Sequence, residues 1–363
     1  MSSGQQERTT DPRRPLAGSA RRRGLRIVVQ TGAFVVGLAM LWWCARQALA
    51  PENRAQIERL REAPAVDVAI IGALSLASIV LNGLVFWAMI LPVRRLPAVG
   101  LVATNALASF LNYLPFKASI VARVLIHTRR DRVAFLTIGA WFAAMAVVLV
   151  SVYGPLVGVS LWRRELDWVW VVVGGTGVVA LLAAVVVIAR AASGEAGLVR
   201  IETIARRALP RAAASLCSKV LRSGVASRLH TGADMLGSPR AVAMCASLWL
   251  ADLLVQATRF VVAAQVLGVD LAFQDAVLVA SCYFLIGVAS PAGQLGTREA
   301  GTTWLAGVLA LAGGEDLAVV MLLASAMESL VSLAAAGAAI VWLRPDRLVW
   351  GGRARPDSLS PPS

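Results

Sequence analysis

Long stretches of apolar residues, separated by short polar segments, run through most of this chain. Six of them carry little charge and are long enough to supply the ~20 helical residues that cross a ~30 Å hydrocarbon core. They cover residues 27–44, 65–91, 133–153, 168–189, 241–267 and 317–343. Because 58% of the residues are hydrophobic, 15% are charged and the mean hydropathy is +0.71, we predict an all-α polytopic membrane protein with six full spans.

Two further hydrophobic segments, 98–126 and 271–311, are interrupted near their middles. Proline cannot continue a helix, because it lacks an N–H group and restricts the residue before it. Each segment is therefore predicted to form a broken-helix hairpin of two half-helices, although an ordinary kinked span is equally open for the first. The residues that mark the two breaks are Asn112, Pro115, Pro291, Gly293 and Gly296.

The distribution of Lys and Arg predicts the topology, since short cytoplasmic loops are enriched in both. If the two hairpins are re-entrant and the N-terminus is cytoplasmic, 25 of the 35 cations lie inside, 6 lie outside and 4 lie within membrane segments. If each hairpin crosses the membrane once instead, the bias disappears. Re-entrance is favoured, with both termini in the cytoplasm. The two halves then have opposite orientations, which is the inverted repeat of many secondary transporters.

This topology divides the chain into three parts. We predict a disordered basic tail over 1–25, a transmembrane domain over 26–343 that contains a basic cytoplasmic loop at 190–240, and a cytoplasmic tail over 344–363. The net charge of +14 follows the sides of the membrane rather than one folded basic module, so nucleic acid is not expected as a partner. The basic loop is predicted to be an interfacial helix or a solvated segment that fixes the topology.

Charged residues inside the predicted membrane segments are the candidate functional groups, because burying a charge there costs about 2.5–3.5 kcal/mol on insertion scales. Four cations against three acids leave one surplus positive charge, which an anionic headgroup would balance. Two of the acids lie in polar stripes of their helices. The candidate headgroup-binding cations are Lys117, Arg123, Arg259 and Arg298, and their candidate charge partners are Asp252, Glu299 and Glu328.

Alternative roles remain open for these ions. Lys117 and Arg123 can instead extend to the cytoplasmic surface, and Arg298 can pair only with Glu328 as a structural latch. Because Arg298 and Glu299 are adjacent, a helix directs them to different faces. We expect Arg298 to face a ligand phosphate and Glu299 to face a cation of the other repeat.

Helix beginnings inside the membrane are a second source of positive charge. The first backbone N–H groups of a helix are unpaired and carry roughly half a positive charge. One half-helix is predicted to begin after Pro115 and another after Gly296, with the two beginnings facing each other as an anion site. Gly293 and Gly296 would let the backbone approach a ligand closely.

No enzyme motif is evident: there is no phosphate-binding loop, no nucleophile elbow and no pair of histidines. The four cysteines lack metal or redox spacing. We therefore predict a protein that is not an enzyme and that carries no cofactor or metal.

The two interrupted segments resemble a known family. Asn112, Pro115, Lys117 and Arg123, followed by the second break, look like the flippase-like transmembrane region of lysylphosphatidylglycerol synthases, which also occurs in stand-alone membrane proteins. The second motif is the more specific one, with Gln294 where the family usually has Gly, whereas Ala118 and Ser119 replace the usual Gly and acid of the first. Its residues are Pro291, Gly293, Leu295, Gly296, Arg298 and Glu299.

The resemblance implies that the chain moves a lipid between leaflets, without the aminoacyl-transferase domain that some members carry. The expected substrate is an anionic phospholipid or a polyprenyl-phosphate-linked lipid. The alternative is a non-catalytic membrane subunit that anchors or presents lipid to a partner glycosyltransferase or lipid synthase. Since Arg outnumbers Lys by 33 to 2 and Ala is abundant, the expected location is a bacterial cytoplasmic membrane.

Overall fold

In the computed structural model, every regular secondary-structure element within the described residues is a helix. The described residues are 31–32, 35–46, 48–114, 117–194, 197, 199–200, 203, 207, 231–290, 294–309, 311 and 317–344. Their principal helices are α1 (Val35–Arg46), α2 (Arg54–Arg61), α3 (Ala65–Ile90), α4 (Ala98–Leu111), α5 (Ala118–Arg129), α6 (Phe135–Arg163), α7 (Trp168–Ala192), α8 (Pro239–Leu267), α9 (Phe273–Ala289), α10 (Thr297–Val308) and α11 (Leu317–Leu343).

Five helices, α3, α6, α7, α8 and α11, are long and apolar enough to cross a membrane. They match five of the six predicted spans, as expected of a polytopic membrane protein. The sixth predicted span, 27–44, lies only partly within the described residues, and its described part belongs to the shorter apolar helix α1. The predicted tail at 1–25, all but the first residue of the predicted tail at 344–363, and most of the 190–240 loop lie outside the described residues.

Local sequence signals explain where two long helices begin. Ser238 is the N-cap of α8, where its side chain accepts a hydrogen bond from the backbone of Ala241, and Pro239 follows at a position where no N–H is needed. Asp167 caps α7 in the same way, accepting from the amide nitrogen of Trp170 at 2.8 Å. This hydrogen bond, together with Arg163, lowers the pKa of the Asp167 carboxyl.

Both predicted breaks divide their segments into two helices that fold back on each other. Arg123 of α5 donates a hydrogen bond to Asn105 of α4, whereas 18 residues along one straight helix would separate the two by about 27 Å. In the second segment, a Cβ added at Gly301 of α10 would lie 3.2 Å from a methyl group of Ile286 in α9. The segments 98–129 and 273–308 are therefore helical hairpins rather than kinked single helices.

The second helix of each hairpin begins after a residue with positive φ. Lys117, before α5, has φ 48° and ψ 44°, and Gly296, before α10, has φ 76° and ψ −35°. Neither helix has a side-chain cap at its N-terminus. The two hairpins therefore share a local backbone feature that the sequence pattern alone did not predict.

The two halves also pack in corresponding ways. If α3, α4, α5 and α6 are exchanged with α8, α9, α10 and α11, the packed pairs map onto one another: α3/α4 onto α8/α9, α4/α5 onto α9/α10, and α3/α11 onto α8/α6. The central pair, α3 and α8, is antiparallel, because Ser78 contacts Asp252, Ser75 contacts Arg259, and Arg59 lies against Gly268 beyond the end of α8.

Candidate site: an amphipathic cavity between the two halves

A cavity of about 260 Å³ lies where the two hairpins meet the central pair α3 and α8. The polar lining residues, called the polar wall below, are Ser75, Ser78, Asn82, Asn105, Ser109, Asn112, Arg123, Gln256, Gln294, Arg298 and Glu328. The apolar lining residues belong mainly to α6 and α9. They include Phe142, Met145, Ala146, Leu149, Phe284 and Val288, together with Ile79 and Phe86 of α3 and Trp249 of α8.

The exposed residues of the cavity lining belong to α6 and α9. They are Ala146 of α6 and Val288 of α9. These two helices meet through the ring of Tyr153, which stacks on Phe284 at 5.3 Å. The corresponding pair in the other half, α4 and α11, packs much more extensively, so the two sides of the cavity differ.

Arg123 is the cavity-lining cation that has no carboxylate partner among the described residues. Its side chain is only 8% exposed, its Nη2 atom donates to Asn105, and its guanidinium stacks over Phe86 at 4.0 Å. Asn105 in turn donates to the carbonyl oxygen of Ile79 at 2.6 Å. Arg123 therefore lies inside the protein, held by an amide and an aromatic ring, and the alternative of an Arg123 extended to the surface is not what the structure shows.

Glu328 joins two of the other predicted cations. Its Oε2 atom accepts from Nη1 of Arg259 and its Oε1 atom accepts from Nη1 of Arg298, both at 2.9 Å. Arg259 is 1% exposed and Arg298 is 4% exposed, so both charges need this partner. The latch that the sequence left open for Arg298 and Glu328 is therefore present, and it includes Arg259.

The expected separation of Arg298 from Glu299 is wrong. The Arg298 side chain folds back, so that its Nε atom lies 3.3 Å from Oε1 of Glu299. Glu299 also accepts a hydrogen bond from Ser325 of α11, so its contacts are in its own half rather than with a cation of the other repeat. Arg298 additionally donates to the hydroxyl of Tyr113 at 2.7 Å, which connects the second hairpin to the first.

Asp252 is completely buried between α3 and α8. Its Oδ1 atom accepts from the hydroxyl of Ser78 at 2.6 Å, and its Oδ2 atom accepts from the amide of Gln256 at 2.9 Å. The structure thus gives this predicted charge partner two neutral hydrogen-bond donors. No arginine or lysine makes an ion pair with it within the described part of the chain.

The residues predicted at the two helix breaks, and Lys117 beside the first, differ in where the structure places them. Pro115, Pro291 and Gly293 lie outside the described residues. Asn112 lines the cavity, whereas Lys117 is half-buried and is not among the described lining residues.

Gly296 makes its close approach to α1 rather than to the cavity. A Cβ at this position would fall 1.9 Å from the carbonyl oxygen of Gly37 and 2.7 Å from the nitrogen of Leu41. The structure therefore gives Gly296 a packing role against α1, and its expected role in admitting a ligand stays a prediction.

Several residues of the site were missed by the sequence reasoning. Those with a usable signal are Ser78 and Asn82, which extend a polar stripe from Ser75 along the otherwise apolar α3 at helical spacing. Gln294 was noticed only as a departure from a family pattern, although it donates to Asn112 through its backbone and accepts from Arg298 through its side chain. Tyr113 and Tyr283 had no signal, since their partner Arg298 is distant in sequence.

Comparison with protein-family models, with curated proteins and with solved structures finds no match for this chain. The resemblance to the flippase-like transmembrane region thus stays a prediction that depends on the motif residues alone.

Proposed function

We propose that this protein moves an anionic lipid between the leaflets of the membrane. The single observation that carries the proposal is Arg123, a buried cation without a carboxylate partner in the described residues, which lines a cavity whose exposed lining residues, Ala146 and Val288, are apolar. A lipid has the same division, with a charged headgroup and apolar chains.

The chemistry of the polar wall fits a phosphate. A guanidinium carries five N–H donors in a planar fork that matches phosphate oxygens, and the described partner of Arg123 occupies one of its nitrogens. Asn82, Ser109 and Asn112 add neutral hydrogen-bonding groups to the same wall. A phosphate at Arg123 would meet one positive charge and several polar groups, while the acyl or prenyl chains leave between α6 and α9.

The proposed topology has six spans, with α1 in the first of them, and both termini in the cytoplasm. In this topology the two hairpins are re-entrant and enter from opposite sides. The first hairpin supports re-entrance, because α4 and α5 have 14 and 12 residues and extend only about 21 and 18 Å. Neither is long enough to cross a ~30 Å core. The antiparallel pair α3 and α8 supports an inverted repeat.

The two halves could provide a transport mechanism by exchanging their conformations. In inverted-repeat transporters, one half rocks against the other around a central site. The loosely packed pair α6/α9 and the closely packed pair α4/α11 are counterparts, so we propose that they exchange roles when the cavity turns to the other leaflet. The motif resemblance agrees with this proposal.

A reconstitution assay tests the function. The purified chain is placed in phosphatidylcholine liposomes with fluorescent phosphatidylglycerol, fluorescent phosphatidylcholine or a fluorescent polyprenyl phosphate, and the label in the outer leaflet is quenched chemically over time. We expect faster movement of one or both anionic probes than of phosphatidylcholine. The two anionic probes distinguish a phospholipid substrate from a polyprenyl phosphate.

Variants of Arg123 make the assay specific. Because a hydrogen bond to a charged group contributes about 1.5–3 kcal/mol, Arg123→Gln should slow the anionic probe about tenfold or more, and Arg123→Lys should slow it less. Arg95→Gln, at an exposed position, is the matched control and should behave as the wild type. Wild-type protein that accelerates no probe, while binding a partner synthase or glycosyltransferase on copurification, would favour the anchoring subunit.

A further inference from the structure

The buried charges around the cavity balance without a ligand. The described residues place three arginines, Arg123, Arg259 and Arg298, in and beside the cavity lining, together with three acids, Asp252, Glu299 and Glu328. If all six are ionised, the cluster is neutral. A bound phosphate diester then adds one negative charge that the cluster does not compensate, and uncompensated charge in a low-dielectric interior is costly.

Of the three acids, Asp252 is the one able to take up a compensating proton. Glu328 is held by two arginines at 2.9 Å, and Glu299 lies 3.3 Å from Arg298. Asp252, by contrast, has neutral hydrogen-bond partners within the described residues, which are the Ser78 hydroxyl and the Gln256 and Asn82 side chains. Its protonation would break no ion pair.

The helices packed against α8 bring no competing acid to Asp252 within the described residues. From α3 it meets Ser78, and from α6 it interacts electrostatically with the buried hydroxyl of Tyr153. On its own helix the nearest charge is Arg259, through which Glu328 of α11 joins the cluster.

The remaining neighbours of α8 lie further away. Tyr283 of α9 packs against the arginines rather than against Asp252. Near the ends of α8, Arg59 of α2 lies beside Gly268, and Arg190 of α7 donates to the carbonyl oxygen of Gly237 at 2.9 Å.

A short route connects Asp252 with the cavity. Ser78 and Gln256, which hold its two oxygens, both line the cavity wall. A proton arriving with water in the cavity would therefore need to pass only one hydrogen-bonding side chain.

We propose that Asp252 is a proton-binding site that takes up a proton when an anionic headgroup binds at Arg123, so that lipid and proton cross the membrane together. This inference rests on the proposed function and names its coupling ion. One proton accompanying one monoanionic headgroup makes the transported pair electrically neutral. A pH gradient then drives lipid asymmetry, with about a tenfold difference between leaflets for each pH unit at steady state.

Infrared titration of the full chain in lipid tests the proton site independently of transport. The C=O band of a protonated buried carboxyl should appear as the pH falls, in the wild type and in Asp275→Asn, and should be missing in Asp252→Asn. Should Asp252→Asn fail to fold, Ser78→Ala keeps the carboxyl and should shift the midpoint of the titration by about half a pH unit or more. A band that persists in Asp252→Asn, or a midpoint unmoved by Ser78→Ala, would overturn the proposal.

The coupling is measured in liposomes that hold fluorescent phosphatidylglycerol and an imposed gradient of one pH unit. Wild-type protein should accumulate the probe about tenfold in one leaflet, whereas Asp252→Asn should produce no asymmetry. Equal accumulation by both proteins would overturn the coupling. A titrating band in protein that moves no lipid would support the proton site and contradict the proposed function, so the two failures are distinguishable.

Discussion

The amide nitrogen of Gln294 lies 3.2 Å from the carbonyl oxygen of Asn112 and donates a hydrogen bond to it. This bond joins the tips of the two hairpins, which are more than 180 residues apart in sequence. Next to it, Arg298 reaches the Tyr113 hydroxyl. The first and second halves of the protein therefore meet at the cavity through backbone as well as side chains.

The contact between the tips predicts a cross-link. In a background without the native cysteines, Asn112→Cys combined with Gln294→Cys should form a disulfide on mild oxidation, because a backbone hydrogen bond places the two Cα atoms within bridging range. If the halves must move past each other, the oxidised protein should lose lipid movement and the reductant should restore it. Each single variant serves as the control. Failure to cross-link in the folded double variant would contradict the described contact.

Glu328 is predicted to be the main stabilising carboxylate of the cluster. Glu328→Gln leaves Arg259 and Arg298 without their shared counter-charge, and breaking a buried pair typically costs about 3–5 kcal/mol. Thermal unfolding in detergent or nanodiscs should show a large drop in melting temperature. The control is Glu165→Gln at an exposed position, which should unfold like the wild type. An unchanged melting temperature for Glu328→Gln would refute the latch.

Gly296 provides a test of the packing between α1 and the second hairpin. Gly296→Ala would place a Cβ 1.9 Å from the carbonyl oxygen of Gly37, at a backbone φ of 76° that side chains rarely adopt. We expect a loss of about 2 kcal/mol or more in the free energy of unfolding. Gly158→Ala is the matched control, since nothing lies within 4 Å of its Cβ and α6 should accept alanine at no cost. Comparable stability of the two variants would be evidence against this contact.

The proposed topology predicts which positions face the same solution. Cysteines introduced singly at Arg95 and Arg130 should react with a membrane-impermeant thiol reagent from one side, and a cysteine at Arg164 should react from the other. Arg95 and Arg130 flank the first hairpin, so they share a side only if that hairpin is re-entrant. Labelling of Arg95→Cys and Arg130→Cys from opposite sides would exclude re-entrance of the first hairpin.

Helix type and helix breaks were predictable from the sequence because they depend on local chemistry. Apolar length predicts the five long helices, and proline predicts the two breaks. The prediction that the side chains of Arg298 and Glu299 point to different faces of the helix was wrong. It considered only the direction in which each side chain leaves the helix, whereas an arginine side chain is long enough to fold back to its neighbour.

Partners distant in sequence could not be predicted. The choice of Glu328 as the shared partner of Arg259 and Arg298 depends on how α8, α10 and α11 pack. The contact of Gly296 with Gly37 likewise depends on where α1 lies. The predicted surplus of one positive charge counted Lys117 as a membrane-buried cation, whereas the structure leaves Lys117 half-buried. The sequence also could not show that Arg123 is the buried arginine that has no carboxylate partner among the described residues.

The position of a bound lipid tests the central claim most directly. A density map of the protein in nanodiscs that contain phosphatidylglycerol should show a phosphate within hydrogen-bond distance of the Arg123 guanidinium, with the acyl chains leaving between α6 and α9, and Arg123→Gln should lose that density. A cavity that holds only water in both proteins, with lipid confined to the outer surface, would contradict the account.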